Sequence, residues 1–129
     1  MIPKFRAFYE GKMYGVKAVI WTSRGLYVTL DEGNKAGRRV RSAKLIQSTG
    51  LFDTFRQDEL FEDDVILWTY FDEWEDSGNA RIVYRDGCWK LLDVKTGKEV
   101  WDSLFDCLEN CSVYLAGNIY ENPELMEVE

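Results

Sequence analysis

A chain of 129 residues that is 46% hydrophobic, 15% aromatic and 30% charged has the make-up of a folded unit with one core, or a core plus a small appendage, and excludes collagen, coiled coil and disorder. Five Trp, seven Tyr and seven Phe against three Met favour half-buried pleated surfaces and so a mainly β fold. His is absent and the formal net charge is −7, which removes the side chain that most often serves as general base near neutral pH and the commonest metal ligand.

Phe5, Ala7 and Tyr9 alternate with Arg6, Phe8 and Glu10, and residues 13–21 hold Val16, Ala18 and Ile20 in period-two register. Both segments predict strands, and Glu10-Gly11-Lys12 between them predicts a hairpin turn. Residues 26–30 predict a third strand, residues 31–37 are a loop by composition, and a short strand over 44–48 leads into Thr49-Gly50. A strand follows Asp64; then Ala80 to Arg85 meets Cys88 to Leu92 across Asp86-Gly87, a dipeptide that tolerates positive φ in a two-residue turn. That loop sets Arg85 opposite Cys88, Tyr84 opposite Trp89 and Ile82 opposite Leu91, with Ile82, Tyr84, Trp89 and Leu91 on one core-facing side. Trp101, Leu104, Phe105 and Leu108 fall at helical spacing and predict one short helix, with Asp102 and Glu109 on its sides. Residues 112–120 return to strand composition with a bend or bulge at Gly117, and Asn122-Pro123 ends that strand, leaving 124–129 as a peripheral tail.

Charge is unevenly spread. Residues 1–50 carry ten Lys and Arg against three Asp and Glu, whereas residues 51–129 carry six against twenty, so the two parts stand at +7 and −14. The simpler reading is that they dock through complementary fields, within a chain or between chains, and that the association weakens with salt; self-association is open on this ground. The other reading is a basic arm for nucleic acid. Lys35, Arg38, Arg39, Arg41 and Lys44 form the basic cluster, but no aromatic residue of the kind that stacks bases lies within it, and the field of the whole chain repels polyanions.

The acidic groups Glu62-Asp63-Asp64 and Asp72-Glu73-Trp74-Glu75-Asp76 raise the idea of a carboxylate- or metal-dependent hydrolase using Glu62, Asp64 and Asp72. Neither group has the spacing of a cation-binding loop, and the second reads as a solvated loop before Ser77-Gly78-Asn79. Cys88, Cys107 and Cys111 are too few for a zinc site without His, and no base is present to activate one as a nucleophile, so they read as small apolar residues in a reducing compartment. No cofactor is expected. The N-terminus is charged within a few residues, no apolar h-region follows, and no segment reaches the roughly 18 apolar residues of a membrane span, so a cytoplasmic chain with no membrane partner is expected.

Residues 47–53, Gln-Ser-Thr-Gly-Leu-Phe-Asp, run on to Leu60-Phe61-Glu62-Asp63-Asp64-Val65-Ile66, and residues 116–125 read Ala-Gly-Asn-Ile-Tyr-Glu-Asn-Pro-Glu-Leu. With Lys4-Phe5-Arg6-Ala7-Phe8 at the start, these strings resemble the phage and prophage YopX family. The resemblance implies a small phage-encoded protein with no established biochemical activity. It further implies an N-terminal β segment over residues 1–48 packed before a C-terminal SH3-type β-barrel over residues 49–129 that carries the short helix. Two departures stand out: the family usually has Gly between the acids matching Glu62 and Asp64, where this chain has Asp63, and its Asn-Gly turn gives way to a longer stretch around Phe55-Arg56-Gln57. Thr49, Gly50 and Asp53 then read as a structural turn at the barrel entrance, and Asn118 as the residue that fixes the bend of the last strand.

The expected function is a non-enzymatic protein–protein interaction module in a bacterial cytoplasm carrying phage or prophage, binding a host or phage protein with a basic surface. The candidate surface is Phe71, Asp72, Glu73, Trp74, Glu75 and Asp76, because aromatic rings set among acids are a recurring feature of binding hot spots. Alternation places Trp68 and Tyr70 on one strand face and leaves Phe71 and Trp74 where strand gives way to loop.

Overall fold

The computed structural model describes residues 4–33, 36–70 and 76–127. It is mainly β, with two antiparallel sheets among the described residues, one of six strands and one of four. By its contacts the chain divides into two units, Met1–Ser48 and Thr49–Glu129.

The first unit opens with β1 (Phe5–Tyr9) and β2 (Lys12–Thr22), paired from Arg6↔Gly15 to Tyr9↔Lys12. Glu10 and Gly11 connect them at φ 47° and 82°, the doubly left-handed turn whose twist matches that of its flanking strands. Strand β3 (Gly25–Asp31) returns along β2 with a register shift between Val16 and Ala18, β4 (Arg38–Arg41) adds to β3, and β5 (Lys44–Phe52) pairs with β1 from Phe5↔Gln47 to Phe8↔Lys44. Ala7, Val28, Leu30 and Val40 are the buried centre, with Tyr9, Tyr14, Val16, Leu26, Ala43 and Leu45 packed against them. Strand β4 is one the residue pattern does not announce, because Val40 is its single buried side chain. Likewise β5 continues past Thr49-Gly50 to Phe52 rather than ending at residue 48.

In the second unit β6 (Glu59–Phe61) turns through Glu62 and Asp63 into β7 (Asp64–Tyr70). Strands β8 (Ser77–Arg85) and β9 (Cys88–Asp93) form the expected hairpin: Asp86 and Gly87 take φ 53° and 80°, and the register is Arg85↔Cys88, Tyr84↔Trp89 and Ile82↔Leu91. Strand β10 (Cys111–Asn118) pairs with β7, and its register shifts between Leu115 and Gly117, which is the bulge expected at Gly117. Leu60, Ile66, Ala80, Ile82, Leu91, Leu104, Cys107, Cys111 and Val113 make one buried cluster.

Several expectations change here. Among the described residues neither sheet closes into a barrel, since β10 and β9 are the two ends of the second sheet's order and no ladder joins them. Tyr84 is not core: it is 55% exposed, its ring meeting Trp89 edge-to-face at 5.0 Å near the hairpin tip while Ile82 and Leu91 are fully buried. Helix α1 spans Leu104–Asn110, so Trp101 lies before it, and Phe105 points outward at 58% exposure. The cause is local: Ser103 Oγ accepts the Asp106 amide hydrogen at 3.0 Å and sets the first turn after Trp101. Leu104 and Cys107 then form the buried stripe, and Cys111, the C-cap, is the buried residue next after the helix. Within the expected peripheral tail Pro123–Met126 forms a 3-10 turn, and a Cβ built on Gly117 would meet both the Asn122 side chain and, at 2.9 Å, Leu125.

Candidate functional site

The acids that looked most chemical in the sequence are engaged in holding the second unit together. Asp63 sits at φ 67° in the turn between β6 and β7, a left-handed conformation that side chains rarely adopt. Its amide donates to the Ile82 carbonyl at 2.8 Å, and its own carbonyl accepts the Ile119 amide at 3.2 Å. Arg81 Nε and Nη2 both donate to Asp63 Oδ1, at 3.0 and 2.9 Å, and Tyr120 Oη donates to Oδ2 at 2.6 Å. Burial first, and then this hydrogen bond to a carboxylate, push the Tyr120 phenol well above the ordinary tyrosine range. The neighbouring Asp64 is buried and accepts the Phe61 amide on Oδ2 at 2.8 Å. Of the hydrolase set, Asp72 lies outside the described residues, and among the described residues no three His, Cys, Asp or Glu side chains converge as a metal site.

Asp53 and Asn118 do similar work on the backbone. Asp53, 1% exposed, accepts the Arg56 and Asp58 amides on Oδ1 at 3.2 and 2.8 Å and the Leu115 amide on Oδ2 at 3.0 Å, which ties the loop after β5 to β10. Thr49 Oγ1 donates to the Leu60 carbonyl at 2.7 Å, and Gly50 takes φ 77° beside it. Asn118 Oδ1 accepts the Tyr120 and Glu121 amides at 3.0 and 2.8 Å, closing the turn after the last strand, while Nδ2 donates to Glu121 Oε1 at 2.9 Å. Each of these side chains bonds backbone groups in turns and loops that strand pairing leaves over.

The basic cluster is split by the strand that carries it. In β4 alternation puts Arg38 on the side of Val40, and Arg39 with Arg41 on the other. Arg38 lies over Tyr9 and Tyr14, at 5.7 and 5.8 Å from the ring centroids, and pairs with Glu32 at 2.7 Å. Arg41 lies 5.4 Å over Tyr27 and donates to the Arg24 carbonyl at 2.8 Å. Lys44 is in β5 opposite Phe8, and Lys35 lies outside the described residues. The first unit also has a cavity of about 730 Å³, lined by Phe5, Val16, Val19 and Trp21 with Lys4, Lys17 and Asp31 among its other residues.

A different group converges at the end of β7. Trp68, Tyr70, Asp76 and Trp101 line a cavity of about 330 Å³. Trp68 stands edge-on to Trp101 at 5.3 Å and 87°, and Tyr70 stacks on Trp101 at 5.9 Å and 26°. The Tyr70 amide donates to the Asp76 carbonyl at 2.8 Å, which fixes Asp76 beside the rings. Trp68 also lies against Gly78, its cross-strand partner, where a Cβ would come within 3.0 Å of the indole. Of the expected partner surface, Asp76 is described and exposed, whereas Phe71, Asp72, Glu73, Trp74 and Glu75 lie outside the described residues. Trp101 was missed as a site residue because helical spacing claimed it; the signal that separates it from the helix is Ser103, a capping residue two positions later.

The family model described as YopX protein matches residues 4–127. The chain belongs to the YopX family. Its fold is similar to the crystal structure of protein EF1440 from Enterococcus faecalis, with 26% identity, 98% of this chain and 99% of that one covered, and a TM-score of 0.71. It is also similar in fold to protein yopX from Bacillus subtilis, with 18% identity, coverage of 96% and 98%, and a TM-score of 0.67. No curated protein matches the chain. Asp63 holds a left-handed φ that glycine would adopt without a Cβ penalty, with Arg81 and Tyr120 bound to its carboxylate. Among the described residues no helix is long and apolar enough to cross a membrane.

Proposed function

We propose that this YopX-family chain is a non-enzymatic interaction module whose second unit binds a basic protein of host or phage in the bacterial cytoplasm. The binding surface runs from the end of β7 into β8 and comprises Phe71, Asp72, Glu73, Trp74, Glu75 and Asp76. The observation that carries this reading is the placement of Asp76 beside three aromatic rings in a unit with twenty acids and six basic residues. Such a field repels nucleic acid and steers basic proteins toward it. The engagement of Asp53, Asp63, Asp64 and Asn118 in backbone and side-chain hydrogen bonds supports a structural rather than chemical role for them. We read the second unit as an opened relative of an SH3-type barrel, its four-stranded sheet left open between β9 and β10.

The test is capture from host lysate with the wild-type chain and with Trp74→Ala, followed by a direct affinity measurement on the protein identified. A basic partner that binds the wild type, loses affinity for Trp74→Ala and dissociates as salt shortens the screening length to about 10 Å at 0.1 M supports the proposal. A captured nucleic acid, or a partner indifferent to Trp74 and the neighbouring acids, overturns it.

A further inference from the structure

The cavity at the end of β7 has the chemistry of a cation receptor. Trp68, Tyr70 and Trp101 form an aromatic cluster along the cavity, with Trp101 near-perpendicular to Trp68 and near-parallel to Tyr70. Ring faces carry the negative end of the aromatic quadrupole and attract cations. Asp76, an exposed acid, also lines the cavity, and its backbone carbonyl accepts the Tyr70 amide hydrogen.

Hydrogen bonding does not fix the two indole rings, and the backbone around them is shaped to hold them. The Nε1 atoms of Trp68 and Trp101 are buried with no hydrogen-bond partner among the described residues, an arrangement that native folds seldom retain. Trp101 also holds φ 61°, a left-handed conformation that is costly for a bulky residue and tends to persist where a site needs the side chain in one place. Gly78 lets the Trp68 indole lie against the strand, where a side chain would displace it.

We propose that this cavity receives an arginine side chain of the basic partner, its guanidinium lying on the aromatic rings and pairing with Asp76. Arginine fits better than lysine because a planar, weakly hydrated guanidinium stacks on rings and meets a carboxylate through two donors at once. This inference rests on the proposed binding of a basic protein and names the pocket that reads its charge.

The full chain, labelled with ¹⁵N, gives an indole signal from each of its five Trp residues. It is titrated with N-acetyl-arginine methylamide and with the citrulline counterpart, which keeps the shape and loses the charge. The expected result is saturable movement of the Trp68 and Trp101 signals with the arginine compound alone. Tyr70→Leu and Asp76→Asn, checked for folding by circular dichroism, should each weaken that binding by roughly fivefold or more. If Tyr70→Leu does not fold, Asp76→Asn carries the comparison alone. Equal movement with citrulline, movement that never saturates, or unchanged binding in Asp76→Asn overturns the proposal. Should the arginine compound fail while a basic protein still binds in a Trp74-dependent way, the pocket assignment falls and the wider reading stands. Should the compound bind as described and no basic protein be captured, the wider reading falls and the arginine is not that of such a partner.

Discussion

Tyr120 donates its phenolic hydrogen to Asp63 Oδ2 at 2.6 Å, joining the turn after the last strand to a turn 57 residues earlier. Arg81, from β8, donates to the other oxygen of the same carboxylate at 3.0 and 2.9 Å. Three separate segments of the second unit therefore meet on one side chain. Tyr120→Phe removes a hydrogen bond to a charged acceptor and should lower stability by about 1.5–3 kcal/mol, read as a shift of the urea midpoint.

The same contact fixes a pH dependence. Burial, the hydrogen bond to Asp63 and the nearby Asp63 and Glu62 charges raise the phenol's pKa in the folded state. A raised folded pKa means that the stabilisation is complete below the unfolded value of about 10 and is lost as pH climbs through the folded one. Above pH ~10 the wild type should lose stability more steeply than Tyr120→Phe, and parallel curves for the two would refute the assignment.

Backbone conformation separates two substitutions at Asp63. Asp63→Ala and Asp63→Gly both lose the bonds to Arg81 and Tyr120, but only glycine takes φ 67° without strain. Asp63→Gly should therefore be more stable than Asp63→Ala by about 1 kcal/mol in guanidinium unfolding.

Asp53 makes the sharper case for a structural carboxylate, because three backbone amides end on a side chain that is 1% exposed. Asp53→Ala leaves all three without their acceptor and should cost about 1–3 kcal/mol, read as a lower urea midpoint. Asp53→Asn should also destabilise, since its amide would face the Leu115 or the Arg56 and Asp58 donors, and equal melting temperatures for wild type and Asp53→Asn would contradict this.

Thiol chemistry reports on the helix. Burial, with Cys111 beside it, raises the Cys107 pKa, and burial raises that of Cys111 too. Cys88 is only partly buried. A thiol reagent at pH 8 should modify Cys88 first and reach Cys107 only on unfolding, as mapped by peptide mass.

Where local chemistry decides structure, the sequence was legible. Asp86-Gly87 dictates a two-residue turn, and the turn then dictates the pairing of Tyr84 with Trp89 and of Ile82 with Leu91. Gly117 marked the bulge of β10 for the same reason. Periodicity was less reliable wherever a cap or an edge intervened: it assigned Trp101 and Phe105 to the helix's inner face, while the Ser103 cap starts the helix later and turns Leu104 and Cys107 inward. In Arg38-Arg39-Val40-Arg41 one apolar residue gives no period at all, so β4 has no local signature. The meeting of Asp63, Arg81 and Tyr120, and that of Trp68 with Trp101, depend on strand pairing across tens of residues and have no local signature. The acidic and aromatic composition around Trp68, Tyr70 and Asp76 was visible, but its closure into a pocket needed Trp101.

If Asp63 serves the fold and Asp76 serves recognition, one paired measurement separates them: melting temperature and affinity for the identified basic partner, taken on Asp63→Ala and Asp76→Asn. The predicted result is a lower melting temperature with retained affinity of the folded protein for Asp63→Ala, and an unchanged melting temperature with affinity weakened roughly fivefold or more for Asp76→Asn. Full affinity in a folded Asp76→Asn, or loss of binding confined to a folded Asp63→Ala, would contradict it.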